Sequence, residues 1–146
     1  MENSRRNLKL TSIAILVVTA MSLLTLFAEI FYGEINTLGN SAGLPENVLR
    51  ITQIFVMSLS ILFLLPEFYV GFKGLKEARS PGSSSAHIVW ATIIFVISVI
   101  ALISPLMGLL RREDVKENIR SLLSIGVDVL LYFDYIKFAK AVSDGR

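Results

Sequence analysis

The chain has 146 residues, of which 53% are hydrophobic, and its mean hydropathy is +0.65. Its charged residues gather in short clusters between long apolar segments, whereas a soluble domain spreads them along the chain. The net charge of +2 is no sign of nucleic-acid binding, because the basic residues flank the apolar segments, as in membrane proteins. The absence of cysteine excludes disulfides and thiolate metal sites, and a single histidine argues against a metalloenzyme.

Four apolar segments are each about as long as the 20 helical residues that cross a hydrocarbon core of roughly 30 Å. They are Leu10–Tyr32, Ile51–Phe72, Ile88–Leu110 and Ile119–Phe138. We predict helices because a lone strand would leave its backbone polar groups unsatisfied in lipid. The first segment follows Arg5, Arg6 and Lys9 in the manner of a signal peptide. Its apolar run is too long and lacks a small-residue cleavage site, so we predict that it is retained.

Three short connections separate these segments. The first, Asn36 to Pro45, is rich in turn-forming residues, and Pro45 is suited to open the second helix. The second, Ser80 to Ser85, has the composition of a flexible loop. The third, Arg111 to Glu117, is a highly charged turn. None of the three is long enough to hold a soluble catalytic domain.

The basic residues predict the orientation of the chain. Nine of them lie in or near the N-terminal tail, the second connection and the C-terminal end, and five lie in or near the first and third connections. The side with more Lys and Arg faces the cytoplasm. We therefore predict that both termini are cytoplasmic. The third connection is the exception to the pattern, with Arg111, Arg112 and Lys116 inside it and Arg120 just after it.

Small and polar residues fall on one face of each predicted helix, while Leu, Ile, Val and Phe dominate the other faces. They are Thr11, Ser22, Thr25 and Glu29 in the first helix; Gln53, Ser60, Glu67, Gly71 and Gly74 in the second; His87, Ala91, Ser98, Ala101, Pro105 and Gly108 in the third; and Ser121, Ser124, Asp128, Tyr132 and Tyr135 in the fourth. Such faces allow close helix contact and hydrogen bonds between helices. The sequence predicts an all-α, four-helix transmembrane bundle with short loops and a partly polar interior.

Asp128 lies near the middle of the fourth segment, and Glu67 lies nearer the cytoplasmic end of the second. An ionised Asp at a helix centre costs roughly 2.5–3.5 kcal/mol on insertion scales, which favours a paired or solvated location. The candidate polar site comprises Asp128, Glu67, Ser124, Tyr132, Tyr135, Gln53 and Ser60. One interpretation is an ion or proton path, or a site for a cationic ligand. The alternative is that Asp128 bonds serines or tyrosines of neighbouring helices and that Glu67 reaches the interface.

Other polar or helix-breaking residues have simpler interpretations. Pro66 and Pro105 each remove one helical hydrogen bond and predict kinks. His87 and Trp90, at the start of the third segment, are typical of anchors at the headgroup region, and Asp134 and Glu29 are predicted to be interfacial.

No catalytic motif is present: the chain lacks G-x-S-x-G, H-E-x-x-H, a P-loop and a dinucleotide-binding fingerprint. We predict neither enzymatic activity nor a cofactor. The stretch Gly71 to Ala78, the Pro/Ser-rich loop, Ala86 to Trp90 and the ending Val127 to Lys137 resemble small four-span membrane proteins of Gram-positive gut bacteria. That resemblance implies a multi-pass protein of the bacterial cytoplasmic membrane, and it implies no activity.

Two functions remain open. The leading hypothesis is a non-enzymatic accessory bundle that binds another membrane protein or itself, in addition to the lipid bilayer. The alternative is a small oligomeric transporter or channel that uses Asp128 and Glu67. A membrane enzyme and a phage-type lysis pore rank below both.

Overall fold

The computed structural model describes residues 2–32, 45–82 and 85–145, with the side chains of residues 29–32 and 46 left out. These residues form five helices and no strand: α1 Glu2–Tyr32, α2 Glu46–Arg79, α3 Ala86–Ala101, α4 Ile103–Leu110 and α5 Val115–Asp144. The all-helical prediction is confirmed for this part of the chain. Most of the predicted first connection, from Asn36 to Leu44, lies outside the described residues, as do residues 83 and 84 of the second.

The helices extend beyond the apolar segments from which they were predicted. α1 begins eight residues before Leu10, and α5 continues for six residues past Phe138. Apolar length marks only the part of a helix that suits a hydrocarbon environment, while backbone hydrogen bonds continue into the charged flanks. The start of α2 agrees with the prediction, since the carbonyl of Pro45 accepts bonds from the N–H groups of Val48 and Leu49.

The third apolar segment is divided at Leu102. Pro105 has no N–H to donate to the carbonyl of Ala101, and its ring crowds that carbonyl. The Leu102 N–H is shared between the carbonyls of Ser98, at 3.2 Å, and Val99, at 3.3 Å. Pro66, in contrast, lies within an unbroken α2. Pro105 therefore interrupts its helix, and Pro66 does not.

The helices pack in a ring. α1 packs most extensively on α2 and also on α5, α5 packs on α3 and α4, and α3 packs on α2. A Cβ added at Gly74 would collide with Ser12, so the C-terminal part of α2 lies beside the N-terminal part of α1. This arrangement is a four-membered bundle in which α3 and α4 together form one member.

The buried residues lie at one end of the bundle, which we call the closed end. The fully or almost fully buried apolar side chains are Leu8, Ile15, Val70, Ala91, Tyr132, Tyr135, Ala139 and Val142. They come from the first half of α1, the last parts of α2 and α5, and the start of α3. The opposite end, which contains Pro45 and residues 111–114, is the open end. Here large apolar side chains are exposed, including Ile51 at 68% and Phe55 at 66%.

Three stretches of the described helices are long and apolar enough to cross a membrane: Glu2–Ala28, Asn47–Arg79 and Ala86–Leu110. In the most apolar window of the second stretch, no residue is buried against the rest of the chain. α5, the fourth predicted span, is not among the three, and Asp128, Asp134 and Lys137 interrupt its apolar sequence.

Candidate functional site

Glu67 and Thr19 connect α2 to α1. Thr19, which is 1% exposed, has its Oγ1 at 3.1 Å from Oε2 of Glu67 and at 2.8 Å from the carbonyl oxygen of Ile15. The single hydroxyl proton therefore serves two acceptors. Glu67 itself is half-buried. Its neighbour Pro66 leaves the carbonyl of Leu62 without its usual helical donor.

Asp128 and Tyr132, on α5, complete a cluster with Glu67. The Tyr135–Val70 hydrogen bond lies three residues further along both helices, so Tyr132 on α5 lies level with Glu67 on α2, and Asp128 lies one helical turn before Tyr132. Tyr132 is 3% exposed, and its hydroxyl oxygen is buried without a hydrogen-bond partner in the part of the chain that the structure describes. An unpaired buried hydroxyl is costly, and in native structures such a group calls for an explanation. We call Thr19, Glu67, Asp128 and Tyr132 the carboxylate cluster.

A packed layer closes the bundle on one side of this cluster. Tyr135, which is fully buried, donates a hydrogen bond of 3.0 Å to the carbonyl oxygen of Val70 and so joins α5 to α2. Its ring packs edge-on against His87, with 6.1 Å between ring centres. Gly74 lies directly against Tyr135 and Ser12 and leaves no space for a Cβ. We call Tyr135, Gly74, Ser12 and His87 the closing layer.

On the other side of the cluster, α5 lines an open cavity of about 860 Å³. Its lining residues all belong to α5 or to the turn before it, and they include Lys116, Arg120 and Glu117 as well as Ser121 and Ser124. Ser124 lies four residues before Asp128, about one helical turn, and Tyr132 lies one turn further. A polar stripe therefore leads along α5 from the open end to the carboxylate cluster and stops at the closing layer.

The structure brings together only some of the residues that the sequence singled out. Asp128, Glu67 and Tyr132 form the carboxylate cluster, Tyr135 lies in the closing layer, and Ser124 lies in the cavity. Gln53 and Ser60 are half-buried on the part of α2 nearer the open end. The Ser60 hydroxyl donates to the carbonyl of Val56 on its own helix, at 2.9 Å, and so forms no bridge to the cluster.

The predicted interior face of α1 is wrong. Ser22 and Thr25 are exposed, and their hydroxyls donate to the carbonyls of Val18 and Met21 four residues earlier. The face that packs carries Leu8, Ser12, Ile15 and Thr19 instead, spaced four, three and four residues apart. That spacing is typical of the buried face of a packed helix. From it, the sequence could have predicted that Thr19 is buried. The side chain of Glu29 lies outside the described residues.

His87 was predicted both on the inward face of the third helix and as a headgroup anchor; it is 1% exposed and packs on Tyr135, as the inward face requires. Trp90 and Asp134 are exposed, in keeping with interfacial positions. On the predicted face of the third helix, Ala91 and Pro105 are buried, whereas Ala101 is exposed.

Glu77 is a buried acid that the sequence analysis did not single out. It is 1% exposed and accepts a hydrogen bond from the Gly82 N–H at 3.1 Å.

The carboxylate cluster offers only oxygen atoms, from two acids and two hydroxyls. Such groups bind protons and hard cations. Within the described residues, no group of three or more His, Cys, Asp or Glu side chains is placed to hold a metal ion. No family model, curated protein or solved structure matches the chain.

Proposed function

We propose that the chain is a multi-pass integral membrane protein in which α1, α2, the α3–α4 pair and α5 each cross the bilayer. Three long apolar stretches support this proposal directly. For α5, the support is its packing against α1, α3 and α4, together with the inward position of the buried Tyr132 and Tyr135. An acid-bearing helix is tolerated in a membrane when its polar face points into a bundle.

The distribution of basic residues favours cytoplasmic termini. In this orientation the closed end lies at the cytoplasmic side, and the open end with its cavity lies at the opposite side. The resemblance to small bacterial four-span proteins favours the bacterial cytoplasmic membrane as the location.

Within the membrane, the chain acts as a non-enzymatic accessory bundle that binds another membrane protein or a second copy of itself. The observation that carries this proposal is the closing layer. Tyr135 and His87 fill the bundle between the carboxylate cluster and the cytoplasmic side, and Gly74 permits the helices to approach closely there. Packing of this kind leaves no continuous polar path through the described part of the bundle. This favours a binding function over ion conduction.

The part of α2 between Asn47 and Phe63 is the surface that we assign to the partner. None of the residues in the most apolar window of α2 is buried by the rest of the chain, and α2 contributes Val70 to the core beyond that window. In lipid, helix association depends on packing and on hydrogen bonds between helices. The half-buried Gln53 on this part of α2 supplies a side-chain amide suited to such a bond.

Disulfide crosslinking in native membranes tests this proposal, and the absence of native cysteine makes the test clean. With Ile54→Cys, on the assigned part of α2, we expect a crosslinked dimer or a crosslink to a partner. Leu130→Cys, an exposed apolar position on α5, is the matched control and should remain uncrosslinked. Equal crosslinking of both variants, or of neither, contradicts the proposal. In proteoliposomes, we expect no ion leak from the purified protein.

A small oligomeric transporter is the second candidate, and the carboxylate cluster is the observation that favours it. Two acids from different helices, at the end of a polar stripe, have the composition of an ion-coupling site. Transport requires the closing layer to open, so cation-driven uptake into proteoliposomes would favour this candidate over the accessory bundle.

A further inference from the structure

The carboxylate cluster contains a hydroxyl group without a hydrogen-bond partner among the described residues. The Tyr132 hydroxyl is buried at the level of Glu67, yet it forms no hydrogen bond within the described part of the chain. Removing a hydroxyl from water without a compensating bond destabilises a protein. A group that comes from outside the chain would relieve this cost.

The charges of the cluster indicate the nature of that group. Glu67 receives one hydrogen bond, from Thr19, and no basic side chain in the described residues pairs with Glu67 or Asp128. An ionised acid inside an apolar bundle is costly unless it is paired. A bound cation would supply that pairing.

The ligand atoms narrow the class of cation. Carboxylate, hydroxyl and carbonyl oxygens suit hard metal ions. Only two acidic side chains are present, and a dehydrated divalent ion such as Ca²⁺ takes six to eight oxygen ligands, usually including several carboxylates. These groups fit a monovalent metal ion better than a divalent one.

We propose that Glu67, Asp128, Thr19 and Tyr132 form a binding site for a monovalent alkali cation such as Na⁺, entered from the open end past Ser124. The polar stripe of α5 supplies the entry route, which begins at the cavity that Lys116 and Arg120 also line. The closing layer ends the route, so the cation enters and leaves on one side of the bundle. This site deepens the second candidate function, although binding itself requires no transport.

Thermal unfolding of the full-length protein in one mild detergent tests the site. NaCl replaces choline chloride at constant ionic strength, and equilibrium dialysis with radioactive Na⁺ counts the bound ions. We expect one ion per chain and a saturable rise in Tm of roughly 5–10 °C at about a hundred times Kd. A Tm that does not depend on Na⁺, or a rise produced only by Ca²⁺ or Mg²⁺, overturns the proposal.

Tyr132→Phe separates cation binding from packing because it removes only the unmatched hydroxyl. We expect the Tm without Na⁺ to be unchanged or higher, and the Na⁺ concentration for half of the shift to rise by about tenfold or more. Tyr135→Phe is the matched control, since its hydroxyl is bonded to Val70. It should lower the Tm without Na⁺ and leave the half-saturating concentration unchanged. The same half-saturation in wild type and Tyr132→Phe overturns the proposal.

The acidic residues supply a second comparison. Asp128→Asn should abolish the Na⁺-dependent shift, whereas Asp134→Asn, an exposed acid on the same helix, should retain it. If Asp128→Asn fails to fold, the Tyr132→Phe result decides. Since these measurements need neither a partner nor a bilayer, they are independent of the interaction function. Na⁺ binding without flux in proteoliposomes would reject transport and leave the site standing.

Discussion

The hydroxyl of Thr19 on α1 donates a hydrogen bond to the carboxylate of Glu67 on α2, with 3.1 Å between Oγ1 and Oε2. It is a side-chain bond between two helices that also pack extensively through apolar residues. The bond fixes one oxygen of the Glu67 carboxylate. The position of the carboxylate cluster thus depends on a residue in the first helix.

Thr19→Val tests the strength of this bond. Valine keeps the shape of the side chain but removes the donor, so we expect the free energy of unfolding to fall by about 1–2 kcal/mol. Unfolding in one mild detergent measures the change. Thr25→Val is the control, because Thr25 is exposed and bonds only to its own helix. A change there should stay within about 0.5 kcal/mol. Equal effects of the two substitutions would show that the bond to Glu67 contributes nothing.

Gly74→Ala tests the closing layer. The added Cβ would overlap both Tyr135 and Ser12, so the helices must separate, at a cost of about 1–3 kcal/mol. Gly126, within α5, has nothing within 4 Å of an added Cβ. Gly126→Ala should therefore leave stability unchanged or raise it by up to about 1 kcal/mol, through helix propensity. Similar stability changes in the two variants would contradict the close approach at Gly74.

Neighbouring residues on α5 test the open cavity. Ser124 lines the cavity, while Leu123 points away and is 66% exposed on an apolar surface. An impermeant thiol reagent needs water and the thiolate form of its target. In intact cells, we expect Ser124→Cys to react and Leu123→Cys to stay largely unmodified. The reverse pattern would mean that α5 is rotated from the orientation described.

The sequence predicted the helices well because local features mark them: the length of each apolar segment, and the Pro and Gly residues that fall between segments. It also identified Asp128, Glu67 and Tyr132, since acidic residues in apolar segments are conspicuous. The error on α1 has a physical cause: Ser22 and Thr25 satisfy their hydroxyls on their own helix, so polarity alone did not force them inward. The helical pattern placed His87 on an inward face, but its partner Tyr135, some 50 residues away in sequence, could not be predicted from any local pattern.

The effects of Pro66 and Pro105 show a second limit of sequence reasoning. Both residues lack the helical donor, yet only the region of Pro105 is interrupted, at Leu102. Whether a helix breaks depends on how neighbouring groups accommodate the unpaired carbonyl, and that depends on tertiary packing.

The central claim is that α5 crosses the membrane although its charges set it apart from the three long apolar stretches. Its two ends provide the most direct test: Glu113→Cys lies just before the helix and Asp144→Cys at its last residue, and both positions are exposed. We predict that an impermeant thiol reagent labels Glu113→Cys in intact cells and labels Asp144→Cys only after the membrane is permeabilised. Labelling of both cysteines from the same side would contradict the four-span bundle.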